Sequence, residues 1–159
     1  MRVTIDKLVE RVGVFAETNK ANGGIKDVLE IKAIYFGDPG IIPVSNFPCM
    51  TVEPDLKSPS GENTGMDKRS LDIVIGIHID AREYYDQDAD EATGDRMLVD
   101  ATEALEAWFR GRDERQLQGT VQDVAFAGTS YQPIRRGTTV ISKSSRTNFV
   151  VRKNYMRQP

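Results

Sequence analysis

The sequence of 159 residues predicts an α+β domain: a mainly antiparallel sheet packed on one side by an N-terminal helix and a second amphipathic helix, with a long loop between strands. Three patterns predict it. Ile5, Leu8, Val9, Val12, Phe15 and Ala16 recur at the spacing of one helical stripe, and Met97, Leu98, Ala101, Ala104, Leu105, Trp108 and Phe109 form a second. Between them Leu71, Ile73, Ile75, Ile77 and Ile79 alternate with Asp72, Val74, Gly76, His78 and Asp80, the period of a strand with one core face and one partly buried face.

Taken in order, Thr4 is the expected N-cap of the first helix, with Asp6 in its first turn, and Asn19 to Gly24 its stop. Val28 to Phe36 alternates Leu29, Ile31, Ala33 and Tyr35 with Glu30 and Lys32, which predicts a half-buried strand. Gly37-Asp38-Pro39-Gly40 reads as a turn, with Pro43 and Pro48 keeping the next stretch irregular. Phe47 to Glu53 reads as a short second strand. Residues 54–69 are polar and rich in breakers, and predict a long flexible loop inside a single domain spanning 1–159. An acidic turn at 86–90 leads into the second helix, whose early acids and Arg110 and Arg112 suit the helix dipole. Thr120 to Thr129 predicts a strand that Gly128 to Pro133 breaks. The tail offers two more strands, Thr138 to Ile141 and Asn148 to Val151, separated by a polar turn at Ser144-Ser145.

One Cys and one His leave no room for an intramolecular disulfide, a Cys-rich zinc site or a two-His metal motif. No apolar run approaches the roughly 18 residues of a membrane helix, and Met1 to Lys7 has no signal-peptide core. The expected compartment is a reducing cytoplasm. The net charge of −3 conceals a polarity: residues 131–159 carry +7 with no acid, and the remainder carries −10. Such opposed patches suit heterologous docking between copies, or simply a solvated surface.

The search for chemistry is short. No phosphate-binding or dinucleotide loop and no nucleophile elbow is present. His78 with Asp72 or Asp80 is the one conceivable acid–base pair, weighed against an ordinary strand histidine. Cys49 reads as a small buried thiol. Asp86, Asp88, Asp90 and Glu91 lack the glycine and later glutamate of a calcium loop and read as a solvated acidic turn. The expectation is no enzyme, no metal and no cofactor.

The order of elements resembles the tail terminator, or tail completion, proteins of long-tailed bacteriophages. The likeness is carried by the helix from Ile5 to Ala16, Val28 to Phe36, the 54–69 loop, the strand Leu71 to Ile79, the helix Met97 to Phe109 and the basic end closing in Asn148-Phe149-Val150-Val151-Arg152-Lys153-Asn154-Tyr155. The resemblance implies a structural virion protein: a homo-oligomeric ring, usually six-fold in that family, on the end of a tail tube that stops tube growth and joins tail to head. It implies a tail tube protein and a neck or head-completion protein as partners, with DNA passing through. On this reading Arg135, Arg136, Lys143, Arg146, Arg152 and Lys153 of one copy face Asp86, Asp88, Asp90 and Glu91 of the next. Leu56, Lys57, Met66, Lys68 and Arg69 of the loop meet a partner. The alternatives are a nucleic-acid-binding module using the same basic residues, or an enzyme around His78.

Overall fold

The computed structural model describes residues 2–55, 66–80, 93–136 and 139–156, with backbone alone at 55, 66–69, 93, 112–113, 134–136, 139–141 and 154–156. The elements are α1 (Arg2–Glu17), β1 (Ala33–Phe36), β2 (Cys49–Asp55), β3 (Met66–Asp80), α2 (Thr93–Arg110), the one-turn α3 (Arg112–Arg115), β4 (Asp123–Arg136) and β5 (Thr139–Met156). The five strands form one sheet in the order β1-β2-β3-β5-β4. β1 and β2 are parallel and every other pairing is antiparallel. The fold is α+β, with a mixed, mostly antiparallel sheet.

β3 is the spine of the core. Leu71, Ile73, Ile75, Ile77 and Ile79 are all buried, beside Val52 and Met50 of β2 and Phe149 and Val151 of β5. Each such side chain contributes about 1.5–3 kcal/mol when fully removed from water. Leu8, Val12 and Phe15 of α1 and Leu98, Ala101, Leu105 and Phe109 of α2 complete the same cluster. The helices meet through Phe15 and Trp108, ring centroids 5.7 Å apart, and α2 meets the sheet through Phe109 and Phe149 at 5.1 Å. A polar stitch joins the same layers: Thr102 Oγ1 lies 2.7 Å from Ser145 Oγ. Arg11 ties α1 to α3 with a two-pronged pair to Glu114, Nε to Oε2 at 2.7 Å, and its guanidinium lies 5.8 Å from the centre of the Trp108 ring.

Several boundaries differ from the expected ones for physical reasons. α1 starts at Arg2, so Thr4 is not a cap but a buried position on the core stripe, and Asp6 falls beyond the first turn. The stretch before β1 is not a strand. Leu29 N bonds Ile25 O at 2.8 Å in a turn, and both side chains plug the core. The turn packs so closely that a Cβ at Gly24 would stand 2.1 Å from the Thr18 carbonyl oxygen.

The predicted 54–69 loop is shortened from both sides. β2 runs to Asp55 and β3 starts at Met66, so Met66, Lys68 and Arg69 are strand positions, paired with Met156, Asn154 and Lys153. Leu56 and Lys57 lie outside the described residues. The predicted turn at Ser144-Ser145 is the middle of β5, where both serines are buried. The predicted break at Gly128 to Pro133 is a bulge in β4, which continues to Arg136.

That bulge has a consequence. Val124 and Phe126 pair with Val151 and Phe149 on the helix side of the sheet. Without it the next helix-side positions would be 128 and 130. The extra residue between Phe126 and Gly128 shifts the alternation, so Thr129, Tyr131 and Pro133 face α2 instead. Thr129 Oγ1 accordingly donates to Glu106 Oε1 of α2 at 2.9 Å.

Candidate functional site

His78 lies on the face of the sheet away from the helices and is 6% exposed. Its Nε2 is 3.0 Å from Thr51 Oγ1. Thr51 donates to Glu53 Oε1 at 3.0 Å, and Arg146 donates to Glu53 Oε2 at 2.6 Å. Because the Thr51 proton goes to Glu53, the ring nitrogen facing Thr51 is the donor, which assigns the proton to Nε2. The ring crosses the space above Gly76: a Cβ there would stand 2.5 Å from Thr51 Oγ1 and 2.6 Å from His78 Nε2. Burial lowers the His78 pKa, opposed by the Glu53 charge, helped by Arg146 and opposed by Asp38. The result is a buried, hydrogen-bonded strut across three strands. Cys49, also buried, has its thiol pushed up to about 11 by burial, which suits an inert side chain.

The basic residues of the C-terminal hairpin whose side chains are described are stitched to their own chain. Lys143 pairs with Asp95 of α2 at 2.7 Å, Arg146 with Glu53 of β2, and Arg152 with Asp123 of β4 at 3.7 Å. Lys153 also has an interaction partner. Arg135 and Arg136 sit at the end of β4, opposite Val140 and Thr139. Asp86, Asp88, Asp90 and Glu91 lie outside the described residues. Among the described residues, no three His, Cys, Asp or Glu side chains gather as metal ligands.

Exposed apolar residues mark two other regions. Residues 37–48 leave β1 and return as β2, forming a tongue. Asn46 Nδ2 donates to the Tyr35 hydroxyl at 2.6 Å, Gly40 N donates to Asp38 Oδ1 at 2.8 Å, and Asn46 N donates to Pro43 O at 2.9 Å. Ile41 is 87% exposed, and Val44 and Phe36 are also exposed. At the opposite end of the sheet, a seam runs between α2 and β4. One end is a cleft of about 430 Å³ lined by Leu98, Val99, Tyr131 and Pro133 beside the Asp95–Lys143 pair. The other is a cleft of about 300 Å³ lined by Phe109, Val124, Phe126 and Phe149, with Glu106, Arg110 and Arg115 beside them. Val99, Phe126 and Tyr131 are the exposed apolar residues of this seam.

Neither region was singled out by the charge reading of the sequence. The tongue had a signal, since Ile41, Ile42 and Val44 are apolar residues inside a Gly/Pro turn. The seam had none, because the bulge that aims Tyr131 inward leaves no alternation to follow. The chain matches no model of a known protein family and no curated protein.

Proposed function

We propose that this chain is a structural virion protein of a phage tail or neck, closing as a homo-oligomeric ring on the end of a tail tube, stopping its growth and joining it to the head. The observation that carries the reading is the pair of unlike apolar flanks: a tongue after β1 and a seam beside β4, at opposite ends of one sheet. A ring subunit needs two different surfaces, one for each neighbour, whereas a two-fold dimer needs one self-complementary surface. The order of helices and strands, with both long helices on one side of the sheet, supports the likeness to tail terminators. Among the described residues no helix is long and apolar enough to cross a membrane.

The nucleic-acid alternative has less support. Lys143, Arg146 and Arg152 each have a carboxylate within the chain, so phosphate would compete with an existing partner.

The test is the mass of the purified chain at low and moderate salt, alone and with tail-tube protein, with negative-stain images of the same samples. A closed ring of several subunits, free or capping tubes, is expected. A species that stays monomeric alone and never joins tubes overturns the reading.

A further inference from the structure

We propose that the tongue of one copy seats in the α2–β4 seam of a second copy, joining the two head to tail. The inference rests on the ring reading for closure, not for the pairwise contact.

The tongue is a ready-made projection. Its internal hydrogen bonds and the Asn46–Tyr35 bond hold it to the sheet, so little conformational freedom is lost on docking. Ile41 projects with almost no cover from its own chain. Its own seam is out of reach. The tongue leaves β1 and the seam borders β4, four strand spacings apart in the sheet order, or roughly 19 Å. A second copy has no such restriction.

The seam fits this occupant in hydrophobicity and charge. Its clefts are apolar at their floor, with Tyr131 half exposed at 50%. At the α2 C-terminal end the cations stand outward and the acids inward. Arg110 is 67% exposed against 19% for its partner Glu106, and Arg115 is likewise more exposed than Asp123. Asp38 is the one charged residue between positions 33 and 48. An acidic tip entering a seam with a cationic rim fixes the orientation of the contact. Tongue and seam do not overlap, so every copy can use both at once.

The test uses the full chain. Ile41→Glu and Tyr131→Glu each place a charge on an exposed side chain, and far-ultraviolet circular dichroism and the Tm confirm that both variants fold. Each is expected to raise the concentration needed for self-association by roughly tenfold or more, as for the loss of an interface anchor. Ile41→Cys and Tyr131→Cys chains are also mixed with a short bis-maleimide. Cys49 is buried, so the engineered thiols react. A covalent dimer is expected from the mixture and not from either variant alone. Rings that persist in both Glu variants, with no cross-link, overturn this inference and leave the ring reading standing. Cross-linked pairs without a ring, free or on tubes, support the contact and overturn the ring. If Tyr131→Glu abolishes tube capture but not self-association, the seam belongs to the tube and the inference fails. A monomer under every condition overturns both.

Discussion

The two faces of β3 come from alternate residues of one strand, yet they stabilise the molecule in different ways. On the helix side, Leu71 to Ile79 fill a continuous apolar layer. On the other side, Gly76 and His78 are equally buried, but Thr51, Glu53 and Arg146 satisfy the polar groups there. The first face tolerates loss in proportion to the volume removed. The second depends on every partner being present, because a buried polar group left unpaired costs about 1–3 kcal/mol. Apolar packing sets how stable this sheet is, and the polar strut fixes how β2, β3 and β5 align.

The largest expected break is on the helix side. Ile75→Ala removes a fully buried side chain from the centre of the sheet and is expected to cost about 2–5 kcal/mol by urea unfolding. Val74→Ala, one residue away on the other face, where Val74 itself is only half-buried, should cost well under half as much in the same measurement. Equal losses would erase the distinction between the faces. Next comes Gly76→Ala. Its methyl group meets Thr51 and His78 at less than van der Waals distance, and the expected loss is about 1–3 kcal/mol. Unchanged stability would mean that the ring does not lie across Gly76.

The smallest effect is set by pH. His78 has a lowered pKa in the fold, so the unfolded chain binds its proton more readily. Its contribution is therefore full above the ordinary imidazole range and is lost as pH falls through that range toward the lower folded value. The Tm of the parent chain should fall faster than that of His78→Gln between about pH 7 and pH 5. Parallel curves would remove His78 as a pH-sensitive group.

The parts of this fold that were readable are those where periodicity and burial agree. The α1 stripe, the isoleucines of β3 and the α2 stripe each announce one face. What was misread shares a cause, which is tertiary context overriding local composition. Ser144-Ser145 has the composition of a turn, but a strand runs through it because Ser145 meets Thr102 of α2 and Ser144 donates to the Gln132 carbonyl at 3.2 Å. Leu29 alternates like a strand residue, but is a plug beneath a turn. The charge polarity of the C-terminal end was legible, and its destination was not. Which carboxylate Lys143 or Arg146 meets depends on a strand order in which β5 lies between β3 and β4. The tongue was legible only as misplaced hydrophobicity, and the seam not at all.

The bulge in β4 also bears on how such a surface changes over generations. Deleting Ala127 would only remove the bulge and leave Thr129 and Tyr131 facing α2, whereas deleting Ser130, just past the bulge, would exchange the inner and outer residues that follow it. Tyr131 would then turn away from α2 and Gln132 would take its place, while β5 and the isoleucine core keep their positions. A single-codon deletion there would replace the chemistry of one flank wholesale, so the binding preference of that flank can diverge in one step without passing through an unstable core.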